Sequence, residues 1–543
     1  MTAFTGTWRL VRLALRRDRI QLPIWIGGLT LLTWSLVPSI IGFYPTERER
    51  VEFAISSANS PVVLMTNGLV SGTSIGAIVA AQGLLTLAIG AAFMSTLAVV
   101  RHTRQNEETG RAELVGAGIV GRHASLTAAL VVVVGANVVL GLLTTLVLIG
   151  NDLPATGSFA MGAGVGATGV AFGAIAAVLA QVFEGARATN GMAAGAIGIA
   201  FVLRAAGDAM GQVVDGGIRV ESLWLSWLSP IGWAAQLRPY DYDNFWILGI
   251  FAAAFVGLVG LAFELTQHRD VGAGMRATRP GPAYAPQGLL SPLGLAWRLQ
   301  RAVLVGWIIA MAVLGASYGG VGNEIEDFVT DSQTTEDIFA DFGSAGASLT
   351  DNYFAAILAM LGIMAAGYTV QALLRMRSEE VGGTAESVLA TAVSRPRWMA
   401  SHIAIAVVGT AVILAAAGVG AGLTYGLIIG DAGEQMARMM QAAVVQVPAA
   451  LVLAGFVIAV FGLLPRIAVA LAWGVFTLFL VVSFLGPTLG LSQWVLNLSP
   501  FSHLPAAPVE DVSALPLALL LAVAASLAAL GVAAFRRRDL ALS

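Results

Sequence analysis

The chain has 543 residues, of which 57% are hydrophobic and 11% charged, and its formal net charge is -3. Soluble proteins average about 25% charged residues, so this composition excludes a soluble globular protein and favours an integral membrane protein. The chain has no cysteine, which excludes disulfides, thiolate metal sites and a cysteine nucleophile, and it has no lysine, so every basic side chain is an arginine.

The N-terminal arm is predicted to form an amphipathic helix. Four arginines spaced three, four and three residues apart share one helical face: Arg9, Arg12, Arg16 and Arg19. We interpret the arm as a helix in the inner membrane interface with its arginines toward lipid phosphates. A simple positively charged anchor explains the spacing equally well. Because Arg298 and Arg301 repeat the pattern, an interfacial helix is expected before the first span of each half.

Twelve apolar runs are predicted to span the membrane as helices, since a span needs roughly 20 apolar residues. The runs of the first half are 20–43, 74–100, 124–150, 158–183, 190–210 and 244–265. The runs of the second half are 302–320, 353–374, 401–430, 441–465, 467–489 and 513–535. The predicted fold class is therefore an all-α integral membrane protein with twelve transmembrane helices.

The predicted domain organisation has two six-helix halves. These halves are residues 1–270 and 293–543, and a Gly- and Pro-rich segment, 271–292, joins them. Because the segment lacks an apolar run, we expect it to be a flexible cytoplasmic connection.

The arginines also predict the orientation, because cytoplasmic loops carry an excess of positive charge. With twelve spans, most arginines fall on one side, in the N-terminal arm, the linker, the C-terminus and the loops that follow even-numbered spans. The opposite side includes segment 321–352, which is acidic and contains no arginine. We therefore expect a multi-pass protein of the cell membrane with both termini in the cytoplasm.

The two halves carry the same motifs in the same order. Residues 13–26 match 295–308, and the charged loop 104–122 matches 377–395. Two further matches pair 224–230 with 494–500 and Arg269-Asp270 with Arg538-Asp539. Two copies of one membrane unit in parallel order recur in transporters, where they form two lobes beside a pathway.

The loops after the second span of each half, 101–123 and 374–396, are the strongest candidates for a functional site. Both are long for a membrane turn and carry charges of both signs at matching positions. We interpret them as a docking surface built as helix, glycine break and helix. The alternative, compatible with docking, is an intramolecular ion-pair network that orders each loop. The surface is assigned to Arg104, Glu107, Glu108, Glu113, Arg122, Arg377, Glu380, Glu386 and Arg395.

The segments before each sixth span combine a Ser-Pro pair with tryptophan. Proline and tryptophan at this depth indicate short re-entrant or interfacial helices at the outer face. An outer gate containing Pro230, Trp233 and Pro500 is the functional interpretation, and an aromatic belt is the alternative. Arg204 and Asp208, four residues apart on the fifth span, are interpreted as a structural ion pair rather than a functional one.

Residues for an energy-converting reaction are missing from the sequence. A phosphate-binding G-x-x-x-x-G-K-[ST] loop requires lysine, which the chain lacks. The five histidines are scattered, and no nucleophile and base are spaced as a catalytic set. We therefore expect no catalytic residue, metal or cofactor in this chain and no nucleic-acid partner. Active transport would draw its energy from another polypeptide docked on the charged loops.

The loop R-x-x-E-E-T-G-R-A-E-L at 104–114, its degenerate copy at 377–387, S-P-I-G-W at 229–233 and R-R-D at 537–539 resemble the permeases of actinobacterial ABC-2-type exporters. The similarity is to the tetronasin or polyketide-antibiotic efflux group. It implies a separate ATPase present as two copies, with ATP and Mg bound by that partner. It also implies export of small hydrophobic substrates such as drugs or lipids, with membrane lipids around the permease.

The resemblance places the loop glutamates at the ATPase and the second and fifth spans beside the pathway. On that basis Gln82, Phe201 and Phe476 are predicted to line the pathway. The second loop departs from the first, since Thr384 stands where Arg111 does, so unequal coupling of the halves is expected. An ion-gradient-driven carrier and a lipid-modifying membrane enzyme are the alternatives, although no series of intramembrane carboxylates or acid–base cluster supports either.

Overall fold

The computed structural model describes residues 2–270, 272–275, 283–322, 348–485 and 492–539. The chain divides into two compact units, Met1–Gly281 and Pro282–Ser543, which are called unit 1 and unit 2 below. Most of the predicted outer segment 321–352, and residues 271 and 276–282 of the predicted linker, lie outside the described residues. The predicted domain boundaries therefore stay a prediction.

Unit 1 is built mainly of helices. They are α1 Thr7–Arg17, α2 Gln21–Phe43, α3 Glu47–Asn59, α4 Pro61–Thr66, α5 Ile75–His102, α6 Arg104–Glu108, α7 Arg111–Gly116, α8 Ala124–Gly150, α9 Ala155–Val182, α10 Ala186–Ala209, α11 Pro230–Gln236 and α12 Ile247–Gln267. A short antiparallel hairpin, β1 Gln212–Val214 and β2 Arg219–Glu221, follows α10. The all-α prediction missed this hairpin, because three-residue strands are too short to show an alternating pattern.

The regular secondary structure in the described part of unit 2 is helical. Its helices are α13 Pro292–Val321, α14 Leu349–Val381, α15 Thr384–Leu389, α16 Arg395–Ile429, α17 Ala432–Val444, α18 Val447–Leu463, α19 Ala468–Leu485, α20 Gln493–Leu496 and α21 Ala514–Arg537. Serines cap several of them. Ser291, for example, accepts a hydrogen bond from the backbone N–H of Gly294 and precedes Pro292 at the first helical position.

Within the described residues, eleven helical segments are long and apolar enough to cross a membrane. The six spans predicted for the first half agree with the observed helices to within four residues at each end. In the second half, predicted span 441–465 is formed by α17 and α18, which break just before Pro448, where proline disfavours a continuous helix. Predicted span 467–489 corresponds to α19, whose apolar stretch, Ala468–Ser483, is short for a span. The count of twelve spans is therefore not confirmed.

The predicted helix before each first span is present as a separate helix only in unit 1. There α1 ends at Arg17 and α2 begins at Gln21. In unit 2 the matching residues lie inside one continuous helix, α13, so the prediction of a separate helix before the first span is wrong there. Gln300 occupies the position of Asp18, and glutamine is a better residue for a helix interior than aspartate.

Small residues allow the helices of each unit to pack closely. A Cβ atom at Gly162 of α9 would overlap the carbonyl oxygen of Gly141 in α8, and one at Gly315 of α13 would overlap that of Ala417 in α16. Glycine at these crossings brings the backbones together, as it does in membrane helix pairs. Large apolar side chains such as Ile199 and Val256 are 64% and 70% exposed on long helices, which suits contact with lipid.

Candidate functional site

A glutamate connects the charged loop of unit 1 to the segment that follows the last long helix. Glu107 accepts hydrogen bonds from Arg104 at 2.7 Å and from Arg269, which follows α12, at 2.7 and 3.0 Å. We call Arg104, Glu107 and Arg269 the glutamate bridge of unit 1. The carboxylate also accepts a bond from the backbone N–H of Gly272 at 3.3 Å.

Backbone carbonyls satisfy the arginines of this bridge further. Arg104 is fully buried and donates to the carbonyl oxygens of Ala180, Gln181 and Ala273. Arg269 donates through Nε to the side-chain oxygen of Gln181 at 2.7 Å. The bridge therefore connects the end of α5, the end of α9 and the segment after α12. Residues 272–275, expected to belong to a flexible linker, are hydrogen-bonded to it.

Unit 2 contains the same arrangement. Glu380 accepts a bond from Arg377 at 3.1 Å and a two-pronged pair from Arg538, which follows α21, at 2.7 and 3.0 Å. Arg377, Glu380 and Arg538 form the glutamate bridge of unit 2. The Arg538 guanidinium also lies 5.1 Å from the ring centres of Phe461 and Phe535, a distance at which a cation is attracted to an aromatic face.

A third arginine joins each bridge through the backbone. Arg122 donates to the carbonyl oxygens of Gln267 and Arg269 at 2.9 and 3.1 Å, and Arg395 donates to that of Arg538 at 2.6 Å. The matched charges of the two loops thus have matched partners. The intramolecular network proposed as the alternative to docking is present, and six of the nine assigned residues belong to it: Arg104, Glu107, Arg122, Arg377, Glu380 and Arg395.

The remaining loop glutamates differ from the bridge residues. Gly110 and Gly383 have φ angles of 69° and 71°, so each loop turns through a left-handed glycine between two helices, as predicted. The short helices that follow, α7 and α15, carry Glu113 and Glu386 on exposed positions. Among the described residues neither glutamate forms an ion pair, so both carboxylates are open to a partner.

Glu108 has a local structural role in unit 1. Its carboxylate accepts a 2.7 Å bond from the backbone N–H of Ala186, the first residue of α10. A carboxylate at this position satisfies an unpaired helix donor and interacts favourably with the helix dipole. Val381 occupies the matching position in unit 2; it is 51% exposed, and its side chain cannot accept a hydrogen bond.

A buried carboxylate, a histidine and an arginine form a second cluster in each unit. In unit 1, Asp18 accepts bonds from His102 at 2.6 Å and Arg101 at 2.8 Å. Burial alone would raise the pKa of Asp18, but bonds and charge attraction from His102 and then Arg101 lower it below its ordinary value. The cluster thus secures the residue that separates α1 from α2.

The second unit builds this cluster from other sequence positions. Glu379 pairs with Arg375 at 3.1 Å and with His402 at 3.5 Å, and Gln300 lies 3.1 Å from the other ring nitrogen of His402. Gln300 aligns with Asp18, whereas His402 does not align with His102. Comparison of the two halves did not reveal either cluster, because the carboxylate lies in the N-terminal arm in unit 1 and at the end of α14 in unit 2.

The opposite end of unit 1 contains a buried ion pair. Arg204 and Asp208 lie 3.3 Å apart, as their spacing on one helix predicts. Arg204 also donates to the carbonyl oxygens of Leu64 and Met65, and Asp208 accepts a 2.7 Å bond from the hydroxyl of Ser222. The pair therefore joins α10 to α4 and to the segment after the hairpin, which agrees with its structural interpretation.

The predicted gate residues lie in short helical turns. Pro230 begins α11, and Trp233 donates through Nε1 to the carbonyl oxygen of Trp227 at 2.6 Å and contacts Phe251 edge to face. Pro500 is buried at the start of a 3₁₀ turn, Pro500–His503. These contacts pack the short turns against neighbouring residues. The gate itself stays a prediction.

The predicted pathway residues occupy separate surroundings. Gln82 is half-buried and hydrogen-bonds with Tyr44, while Phe201 lies under the guanidinium of Arg204 at 5.3 Å. Phe476 contacts Trp473 edge to face at 5.6 Å. Gln82 and Phe201 lie in unit 1 and contact different residues, whereas Phe476 lies in unit 2. The pathway assignment stays a prediction.

Arg269 and Arg538 are the functional candidates that loop analysis overlooked. Each completes a bridge although it lies far from its glutamate in the sequence, at separations of 162 and 158 residues. The signal was present in the sequence, since both arginines belong to the fourth repeated motif. Within the described ranges no group of His, Asp and Glu side chains is arranged to hold a metal ion.

Comparison of the sequence with known proteins assigns this chain to a family. The chain is 41% identical over 540 residues to the multidrug efflux system permease protein Rv1217c of Mycobacterium tuberculosis, covering 99% of this chain and 96% of that protein. Residues 289–536 match the family described as multidrug efflux system permease Rv1217c, C-terminal domain. The expected similarity to efflux permeases is confirmed. The chain is therefore a multi-pass membrane protein that belongs to the Rv1217c multidrug efflux permease family.

Proposed function

We propose that this chain is the permease of an ATP-driven exporter that moves hydrophobic or amphipathic compounds out of the cytoplasm or inner leaflet. Two copies of a separate ATPase, which bind ATP and Mg, would dock on the loops that carry the glutamate bridges. The termini and these loops lie in the cytoplasm in this proposal, as the arginine distribution requires. The twelve predicted spans form two six-helix repeats.

The single observation that carries the proposal is the repeated glutamate bridge. A docked protein transmits force to a helix bundle only if the docking segment is connected firmly to the helices. Each bridge connects the loop to the end of the last long helix through one carboxylate and two arginines. Arginine–carboxylate bonds of this kind are short, directional and strong, so displacement of the loop is passed to the long helices.

The short helices next to the bridges offer the docking surface. In α7 the exposed side chains include Arg111, Glu113 and Leu114, and Leu114 is 79% exposed. An apolar side chain surrounded by charges of both signs is typical of a protein contact. In α15, Glu386 is exposed, but Val388 and Leu389 pack against the unit 2 core. Unit 1 therefore offers more apolar surface to a partner.

ATP binding in the partner would pull the two loops and favour the outward-open form, and hydrolysis would restore the inward-open form. Such coupling requires that the nucleotide state change the balance between two conformations. The permease contributes no catalytic group to this cycle. Its role is to bind the compound and to switch the access of the binding site from one side of the membrane to the other.

The central experiment uses inside-out vesicles that contain the permease and its co-expressed ATPase. Transport of an apolar fluorescent compound should require ATP and persist when ionophores remove ion gradients. The double variant Glu113→Arg/Glu386→Arg should lose ATPase association and transport while the membrane part stays folded. Glu47→Arg/Glu434→Arg, which changes two exposed glutamates outside these loops, is the matched control and should behave as wild type.

Two results would overturn the proposal. Transport that follows an ion gradient without ATP would favour a carrier, and normal ATPase association in Glu113→Arg/Glu386→Arg would exclude docking through these helices. Orientation is checked separately in this cysteine-free chain. Ser387→Cys should react with a membrane-impermeant maleimide only from the cytoplasm and Ser332→Cys only from outside, and the reverse pattern would contradict the predicted topology.

A further inference from the structure

Unit 1 contains a large cavity at its arginine-rich end. Its volume is about 1010 Å³, and it lies between α1, the charged loop and the first turn of α8. Basic and apolar side chains make up much of its lining. The basic ones are Arg16, Arg17, Arg111, Arg122 and Arg269, and the apolar ones include Leu10, Leu13, Val115 and Leu126. A ligand that fills this cavity must therefore combine an anionic group with an apolar body.

The basic part of the lining has more positive than negative charge. Its acidic residues are Glu107, which is already shared by the two arginines of the bridge, and Asp270. Among the described residues, Arg16 and Arg111 form no ion pair, and Arg17 donates to the side chain of Asn106. Burial, then repulsion by Arg111 and Arg101, lowers the pKa of Arg17, so an anion placed here would relieve unfavourable charge contacts.

The position of the cavity in the fold selects the kind of anion. Val11 and Ala14 of α1 pack against Ala128 and Val132 of α8, so α1 lies at the level where a long apolar helix begins. Leu126 and Ala128, also in the first turns of α8, line the cavity. Basic pockets at the ends of membrane helices bind the headgroups of acidic lipids. The apolar lining beside the arginines suits an acyl chain better than a free soluble anion.

We propose that this cavity binds an anionic phospholipid, whose phosphate contacts Arg16, Arg17 and Arg111 and whose acyl chain lies along Leu10, Leu13 and Leu126. Such a lipid would join α1 to the charged loop and stabilise the position of α7. The site is specific to unit 1, because Leu299 and Thr384 replace Arg17 and Arg111 at the matching positions of unit 2.

The experiment measures lipid binding to the purified full-length chain by native mass spectrometry. Detergent micelles are titrated with phosphatidylglycerol, with phosphatidylcholine of the same acyl chains, and with water-soluble glycerol 3-phosphate. We expect retention of phosphatidylglycerol, weaker retention of phosphatidylcholine and no binding of glycerol 3-phosphate. Arg16→Gln/Arg17→Gln should weaken phosphatidylglycerol binding by about tenfold or more.

The same helix supplies the matched control. Arg9→Gln/Arg12→Gln removes two exposed charges that do not line the cavity and should leave binding within about twofold of wild type. Arg16→Lys/Arg17→Lys should restore most of the binding, because lysine keeps the charge. Arg111→Thr, which copies unit 2, gives an independent test if the arm variant is poorly folded, and it should also weaken binding.

Three outcomes would refute the lipid site. Equal losses in the two arm variants would show that only general surface charge matters, and equal retention of the two phospholipids would remove the role of the anionic headgroup. Binding of glycerol 3-phosphate as tight as that of phosphatidylglycerol would identify a soluble phosphate compound as the ligand. None of these measurements involves ATP or transport, so their failure is separate from that of the proposed function.

Discussion

The arginine-rich ends of units 1 and 2 share a glutamate bridge, but the surfaces around the two bridges differ. Unit 1 surrounds its bridge with a separate helix α1, a helix cap from Glu108 and an exposed α7 that carries Arg111. Unit 2 has one continuous α13, and Val381 and Thr384 replace the cap and the arginine. The bridge is therefore the part that the two units share, whereas the surfaces around it differ.

The largest effect is expected when the bridge carboxylates are removed. Glu380→Gln should lower the free energy of unfolding by about 3 kcal/mol, the cost of breaking a buried ion pair. Glu107→Gln should lower the free energy of unfolding by less, because Arg104 and Arg269 keep hydrogen bonds to backbone carbonyl oxygens. Within the described residues, the guanidiniums of Arg377 and Arg538 have no hydrogen-bond acceptor besides Glu380.

Thermal unfolding in detergent, followed by tryptophan fluorescence, measures both bridge variants. Glu434→Gln, at an exposed position away from the bridges, is the control; because Glu434 lies in the first turn of α17, its loss should cost no more than about 1 kcal/mol. If Glu107→Gln destabilises the chain as much as Glu380→Gln, the backbone bonds of unit 1 do not compensate for the lost carboxylate. The comparison between the two bridges would then be wrong.

The carboxylate–histidine clusters should give the next largest difference. Asp18→Asn should lower the free energy of unfolding by about 2 kcal/mol, since it removes the buried negative charge and one of the two carboxylate oxygens that accept from Arg101 and His102. Gln300→Leu should cost less, because Glu379 remains to accept from His402. Unfolding midpoints at pH 7 measure both, and equal losses would show that Gln300 contributes as much to its unit as Asp18 does.

The pH dependence gives a second check on Asp18. Its pKa is lower in the folded chain, so its stabilising contribution is fully present above the ordinary aspartate pKa of about 4 and disappears as the pH falls through the lowered value. The difference between wild type and Asp18→Asn should therefore shrink in acid. A difference that stays constant from pH 7 to pH 3 would exclude this ionic contribution.

The helix cap should have a smaller effect, confined to unit 1. Glu108→Ala should cost about 1 kcal/mol, a typical value for a lost cap, because the N–H of Ala186 loses its acceptor. Val381→Ala at the matching position should change the unfolding midpoint little. Hydrogen exchange at the first turn of α10 would locate the effect, and unchanged exchange in Glu108→Ala would argue against the cap.

The smallest effects are expected for the pathway residues, where selectivity rather than stability should change. Gln82→Ala, Phe201→Ala and Phe476→Ala should alter which compounds are exported by a few-fold, since buried apolar area contributes roughly 25 cal/mol per Å² to binding. Efflux of several apolar dyes measures the spectrum, and basal ATPase activity is the control. An unchanged spectrum in all three variants would remove these residues from the pathway.

The sequence predicts the long helices well, because each is a strongly apolar run. It predicts the charged loops and their glycine turns for a similar reason, since the repeated motif places the same residues at the same spacing. Hydrogen bonds between residues that are far apart in the sequence are harder to predict. Nothing local to Glu107 shows that its carboxylate faces Arg269 rather than a partner protein, and only the packed helices place them together.

Two further differences have physical causes that local patterns do not show. Helix α13 runs through a position where α1 and α2 are separate. Asp18 bonds to His102 from the break between two helices, whereas Gln300 bonds to His402 from inside one helix. The helix break before Pro448 lies inside a continuous apolar run, which hydropathy alone treats as one span. In both places, tertiary contacts or a single proline override the apolar pattern.

The glutamate bridges also have a consequence for the biogenesis of the chain. Each glutamate and its distant arginine belong to the same unit, so each bridge can close once that unit has been synthesised and inserted. Because domains generally fold as units during synthesis, from the N-terminus onward, the loop of unit 1 can reach its final position while the ribosome is still translating unit 2. The two halves can therefore fold one after the other. A folding defect in one half does not prevent the bridge of the other half from forming.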